Sequence, residues 1–212
     1  MVSYQDPARD CPRCPRLGAF LGEQRDAHPD WFNAPVPAFG GLDATLLVAG
    51  LAPGLRGANR TGRPFTGDWA GDLLYPTLIA HGLAKGTFGA DPDDGLEMVN
   101  CRITNAVRCV PPENKPTGPE VTACRPFLID EMAAMPNLRV VLCLGGLSHG
   151  AVLSALGEKK SAWPFKHGSQ YRLSSGLILA DSYHCSRYNT NTGRLTEAMF
   201  HQVFQDLLPL LS

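Results

Sequence analysis

The stretch Thr45-Leu-Leu-Val-Ala49 runs directly into Gly50-Leu-Ala-Pro-Gly54-Leu-Arg-Gly57-Ala-Asn-Arg-Thr-Gly62-Arg-Pro-Phe65-Thr-Gly67-Asp68. Five apolar or β-branched residues of strand length therefore end in a glycine-rich loop of nineteen residues, too long to be idle inside a compact domain. Gly50, Gly54, Gly57, Gly62 and Gly67 let the backbone turn sharply and approach a ligand closely. Arg56, Arg60 and Arg63 arrive with no acid before Asp68, so counting ionised side chains gives a local charge of about +3, suited to phosphate oxygens. No Gly-Lys-Ser/Thr closes the loop and the glycines lack dinucleotide-fold spacing, which excludes both of those phosphate-binding designs.

Outward from this loop the pattern repeats. Apolar runs of strand length occur at 102–106, 139–144 and 176–180, and helical spacing at 69–81, 119–135, 147–156 and 195–211. Asp68 is the expected N-cap of the first of these helices, with Pro76 as a kink or early end; Pro126 interrupts the second. Strand and helix in alternation predict an α/β fold, a three-layer α/β/α arrangement around a four-stranded parallel sheet. Each unusual segment follows a strand: 50–68, 107–112, Gly145-Gly146 and 182–196. Loops at the carboxyl ends of parallel strands converge on the crevice where such folds bind ligands.

The 212 residues suit one domain spanning 1–212, and 44% hydrophobic with 18% charged residues marks a globular chain. No run is apolar over the eighteen or so residues of a membrane span, and the polar start 1–10 has no signal-peptide core. A soluble, cytoplasmic protein, without a membrane partner, is the expectation. The formal net charge of −1 excludes a protein that coats DNA with basic surface, so any nucleic-acid contact must be local. Arginines outnumber lysines by 14 to 5 and cluster at Arg9, Arg13 and Arg16, at Arg56, Arg60 and Arg63, and at Arg187 and Arg194. These clusters predict a basic face assembled from distant segments.

Seven cysteines without a secretory signal read as metal ligands or packed thiols rather than disulfides. Cys11-Pro-Arg-Cys14 is a tight pair, Cys109 and Cys124 flank a Pro-rich loop, and Cys101 and Cys143 sit in apolar runs. On spacing alone, a four-thiolate zinc site and an iron-sulfur cluster both remain open.

Gly50-Leu-Ala-Pro-Gly54, the segment 57–68 and Ser182-Tyr-His-Cys-Ser-Arg-Tyr-Asn-Thr-Asn-Thr-Gly-Arg-Leu-Thr196 closely resemble the two active-site motifs of the uracil-DNA glycosylase superfamily, in particular its type b branch, often called family 5. Pro35-Val-Pro-Ala-Phe-Gly40, Thr104-Asn-Ala-Val-Arg-Cys-Val-Pro-Pro112 and the amino-terminal cysteine pair extend the resemblance over most of the chain. It implies a monomeric, monofunctional glycosylase of base excision repair. Such an enzyme flips uracil, and other deaminated bases such as hypoxanthine and xanthine, out of double- or single-stranded DNA and leaves an abasic site.

The resemblance also implies roles for single residues. A [4Fe-4S] cluster would be held by Cys11, Cys14, Cys109 and Cys124, tying down the amino terminus and keeping Arg13 and Arg16 near a bound DNA backbone. Phe65 would stack on the everted base, Asn105 would read its Watson-Crick edge, and Gly50, Ala52 and Gly54 of the first motif would contact the base or the DNA. His184 would donate a hydrogen bond to the base oxygen that gains charge. Ser186, Arg187 and Tyr188 would meet the DNA, from the minor groove or at phosphate. Ala52 stands where many superfamily members have a water-orienting Asp or Asn. That leaves Asp68 as the carboxylate to position water or stabilise the sugar cation, a role compatible with capping a helix. Cys185 replaces the proline of the commoner His-Pro-Ser and puts that loop's geometry, and the exposure of its thiol, in question. A uracil-restricted type a enzyme, a non-catalytic DNA-binding or redox-sensing iron-sulfur module and a phosphohydrolase are the alternatives. The last would need clustered carboxylates, and Asp91, Asp93 and Asp94 read only as a solvated acidic turn.

Overall fold

The computed structural model describes residues 4–212; Met1 to Ser3, part of the polar start, lie outside the described residues. Four strands, β1 (Leu46–Gly50), β4 (Cys101–Asn105), β5 (Val140–Leu144) and β7 (Ile178–Ser182), form the parallel body of one sheet. Every residue in them is buried, which is why β1 and β5 read as continuous apolar runs instead of alternating ones, while β4 and β7 also bury Arg102, Thr104, Asn105, Asp181 and Ser182. The sheet is five-stranded, in the order β4-β1-β5-β7-β6, and this corrects the four-stranded expectation. Its fifth member, β6 (Gln170–Arg172), pairs antiparallel with β7; three partly exposed residues reading Gln-Tyr-Arg carry no strand signal. A separate two-stranded ribbon joins β2 (Ala84–Lys85) to β3 (Glu97–Met98).

The pleat divides the apolar side chains between two faces. Leu46, Val48, Val140, Leu142, Ile178 and Ala180 pack beneath α3 (Trp69–Ala80) and α7 (Glu197–Leu207) through Leu74, Leu78, Phe200 and Phe204. Leu47, Ala49, Val141, Cys143 and Leu179 pack against α4 (Gly118–Ala133) and α5 (Gly146–Ala155) through Leu128, Met132, Val152 and Leu153. Helix on both faces of a parallel sheet gives the expected three layers. The helices start where their caps dictate. Asp68 accepts from the Ala70 amide, Thr117 and Glu120 form a capping box, and Thr196 accepts from the Met199 amide. Pro76 and Pro126 lie inside α3 and α4 without ending them.

Three helices escape the sequence pattern: α1 (Pro15–Ala27), α2 (Ala58–Thr61) and α6 (Arg187–Asn191). Helix α1 buries only Leu17 and Leu21, and Leu17 joins Val107 and Cys124 in a third, small apolar cluster. Among the described residues, no helix is long and apolar enough to cross a membrane.

Candidate active site

Beyond the carboxyl ends of β1, β4 and β7 lies a cavity of about 450 Å³, whose wall includes Ala52, Gly54, Phe65, Asp68, Asn105, His184, Ser186 and Arg187. Sheet register creates this convergence. Gly50 pairs with Asn105 and Leu144 with Ser182, so the chain leaves neighbouring strands at one level and turns into one crevice.

Gly50 lies behind the cavity wall. A Cβ there would overlap Asn105 Oδ1 and stand 2.7 Å from Phe65 Cζ, so the missing side chain is the space in which Asn105 and Phe65 sit. Gly54 and Gly57 do the same for Asp68: a Cβ on Gly54 would lie 3.0 Å from Asp68 Oδ2, and one on Gly57 would overlap that oxygen. The other carboxylate oxygen, Oδ1, accepts the Ala70 amide at 3.2 Å. Burial raises the Asp68 carboxyl above its ordinary value, against the lowering effect of the Gly71 and Ala70 amides.

Phe65 is 6% exposed and has φ of 52°, a left-handed conformation that non-glycine residues adopt only under constraint. Its ring lies 6.1 Å from that of His184, tilted by 34°. His184 is held through its carbonyl, which accepts from Asn189 Nδ2 at 2.8 Å, while its buried Nδ1 has no protein partner. Burial lowers the imidazole below its ordinary value, so it is neutral at neutral pH.

Cys185 is fully buried in the core beneath α3 and α7, which settles its exposure, and burial pushes its thiol up. Ser186 caps α6 by accepting the Asn189 amide. The Arg187 guanidinium stacks 5.4 Å over Trp69. Tyr188 is 72% exposed on α6 and lies off the cavity wall.

The sequence reading overlooked Trp69 and Asn114, both on the wall. Trp69 Nε1 donates to Thr190 Oγ1 at 2.9 Å, joining the first motif to the second. Asn114 Oδ1 accepts the Leu55 amide at 3.3 Å. Trp69 sits one residue after the motif aspartate, the one clue available; Asn114 is signalled by nothing local. Two readings need correction. Arg63 does not face phosphate: it is buried and paired with Asp94, which is itself buried rather than part of a solvated turn. Arg16 is engaged by Glu120 through two hydrogen bonds, of 2.7 and 2.8 Å, and Arg13 stacks 5.1 Å over Phe127. The basic face therefore draws on fewer arginines than their number suggests.

Away from this crevice, Cys11, Cys14, Cys109 and Cys124 line a cavity of about 190 Å³ with Leu17, Val107 and Phe127. Burial, with the neighbouring Cys124, Cys11 and Cys14, pushes the Cys109 thiol up to about 12. Cys124 Sγ accepts the Arg108 amide at 3.4 Å. Four thiols around one space, whose wall also carries Arg9, Arg13, Arg25 and Arg108, are a soft donor set that fits a metal centre. A second buried group, Cys143, His149 and Asp181, has donor atoms within 4.8 Å of one another. Both nitrogens of its histidine are already engaged, Nδ1 with Asp181 Oδ1 and Nε2 with the Trp163 carbonyl, each at 2.8 Å. A metal there would have to break those bonds.

Comparison with known proteins agrees with this geometry. The family model described as the uracil DNA glycosylase superfamily matches residues 37–208. A type-5 uracil-DNA glycosylase of Thermus thermophilus is 46% identical over 92% of this chain and 91% of its own length. One from Pyrobaculum aerophilum is 40% identical, covering 92% and 87% respectively. A type-4 uracil-DNA glycosylase of Sulfurisphaera tokodaii is more distant, at 32% identity over 79% of this chain and 72% of its own. The chain belongs to the uracil-DNA glycosylase superfamily, in its type-5 branch.

Proposed function

We propose that this chain is a monofunctional DNA glycosylase that everts a deaminated base from DNA and hydrolyses its N-glycosidic bond, leaving an abasic site. One observation carries the reading: Phe65, Asn105 and His184, from three distant segments, line the same cavity, with Asp68 opposite an absent side chain at Gly57. The Phe65 ring supplies a stacking face for an everted base. The Asn105 amide offers one donor and one acceptor, the pair that uracil's Watson-Crick edge requires.

As the bond from C1′ to the base nitrogen lengthens, its electron pair moves into the base and negative charge grows on a base oxygen. A neutral His184 donates a hydrogen bond to that oxygen. The sugar becomes cationic at the same time. The Asp68 carboxylate stabilises that cation, orients a water toward C1′, and takes the proton the water loses. Ala52 puts no carboxylate at the usual water-orienting position, and its small apolar side chain leaves the cavity mouth open to larger purine bases. Hypoxanthine and xanthine are therefore substrates beside uracil, in double- or single-stranded DNA. Arg187 at the cavity mouth and exposed Tyr188 engage the strand. The enzyme acts as a monomer.

The four thiols of Cys11, Cys14, Cys109 and Cys124 would hold a [4Fe-4S] cluster, the reading supported by their convergence on one space and by the similarity to type-5 uracil-DNA glycosylases. When bound, the cluster supplies a rigid cross-link and no step of the hydrolysis. The test is incubation with oligonucleotides carrying a single uracil, hypoxanthine or xanthine, followed by alkali. Strand cleavage at all three is expected. Cleavage at uracil alone would restrict the substrate range, and cleavage at none would reject the activity.

A further inference from the structure

Arg63 lies within the first motif, yet its side chain points away from the cavity and is 5% exposed. Its guanidinium is enclosed by three aromatic rings, 5.3 Å from Phe39, 5.3 Å from Tyr75 and 5.8 Å from Phe88. Both terminal nitrogens donate to Asp94, each at 2.7 Å, and Nε donates to Thr66 Oγ1 at 2.8 Å. Asp94 comes from a turn that belongs to neither motif. It also accepts the Gly89 amide at 2.9 Å and the Leu96 amide at 3.0 Å. A fork of this kind fixes direction as well as distance.

What lies between the two ends of the fork is the chemistry-bearing residue. Arg63 and Thr66 bracket Pro64 and Phe65. Thr61 Oγ1 donates to the Thr66 carbonyl at 3.1 Å, and Tyr75 Oη donates to the Pro64 carbonyl at 2.5 Å. On the far side Gly71 is pressed so close that a Cβ would strike the Phe65 carbonyl. Phe65 holds φ of 52° within this frame, and a strained conformation persists only where its surroundings overdetermine it.

Resting on the glycosylase reading above, we propose that Arg63 and Asp94 are positioning residues for the reaction: their buried pair holds Phe65 in the left-handed conformation that presents its ring to the base. Neither touches substrate. Removing the Asp94 charge leaves a guanidinium buried among aromatic rings without a counter-ion and frees the 61–68 loop to relax toward an ordinary backbone conformation.

Asp94→Asn and Arg63→Lys both test this, the second keeping the charge but losing the fork. Single-turnover excision of uracil is expected to fall on the order of 10²-fold in either variant, because small misplacements of a positioned group carry that cost. Affinity for a duplex carrying an abasic-site analogue should stay close to wild type. In a Phe65→Ala background the same substitutions should add little, since a pair that acts through Phe65 cannot act when its ring is gone. A second readout needs no catalysis: the nuclear Overhauser contact between the Phe65 and His184 rings in the free protein, expected in the wild type and lost in both variants. Equal losses of rate in the two backgrounds, or an unchanged ring contact in folded variants, would overturn the proposal. A wild-type protein that excises nothing would defeat the glycosylase reading alone, and the ring contact would then decide this one. Should Asp94→Asn not fold, Arg63→Lys is read by the same measurements.

Discussion

Burial acts in opposite senses on the two titrating side chains at the cavity wall. It lifts the Asp68 carboxyl above its ordinary value and lowers the His184 imidazole below its own. For catalysis, Asp68 must be ionised, so the rate should fall as pH drops through its raised carboxyl value. For stability, the signs differ. The depressed His184 contributes stability that is complete above the unfolded histidine value of about 6.5 and lost as pH falls through the lower folded one. The raised Asp68 contributes stability that is complete below the unfolded carboxylate value of about 3.9 and lost as pH rises through the higher folded one. Asp68→Asn keeps a competent N-cap for α3. It is therefore expected to lower the single-turnover rate more than Ala52→Gly does, to abolish the acidic limb, and to raise the thermal midpoint at neutral pH but not at acidic pH. Stopped excision assays and thermal scans across pH measure all of these, and an Asp68→Asn enzyme of undiminished rate would remove the residue from the chemistry.

Strands and the turns that leave them translate these residues into a site. In β1 every residue is buried and Gly50 is registered against Asn105, so a methyl group at position 50 cannot be relieved by moving the strand. It must displace the Asn105 amide and the Phe65 ring together. Gly50→Ala is expected to destabilise the fold by about 1–3 kcal/mol, the usual range for overpacking, and to reduce excision far more than that loss of folded protein explains. Denaturant titration beside single-turnover rates separates the two effects, and a fully active Gly50→Ala enzyme would contradict the overlap. The same elements show which parts of the fold were readable in advance. Strands β1 and β5 were legible because burial on both faces makes them unbroken apolar runs, β4 and β7 through their shorter apolar and β-branched stretches, and the cavity followed because motif residues lie at their ends. Strand β6 and helix α1 were not: one is three partly exposed residues, the other buries two leucines and is fixed from outside. Asp94 was misread for a related reason, since its partner stands 31 positions away and no local pattern announces a pairing at that distance.

Across the whole molecule, the two sheet faces carry large cores, while α1 rests on a third cluster of only Leu17, Val107 and Cys124 with partly buried neighbours. Polar ties supplement it. Arg16 joins Glu120, Arg25 joins Asp10 and the Asn33 carbonyl, and Arg108 reaches Asp6 and the Tyr4 hydroxyl. Arg108 also meets buried Glu131, which accepts from Arg102 and Thr104 on β4. The amino-terminal layer is thus connected to the strand that carries Asn105, yet its own apolar burial is slight. Cooperative units with little buried apolar contact open at lower free energy than the global transition, and a cluster held by the four thiols, as proposed above, would raise that threshold. Cys14→Ala is therefore expected to leave β1, β4, β5 and β7 amides as protected from hydrogen exchange as before, while α1 amides exchange orders of magnitude faster. Peptide-resolved exchange mass spectrometry reads the difference directly. Equal loss of protection in the sheet would mean that the cysteine centre supports the entire domain and that α1 is not a separate unit.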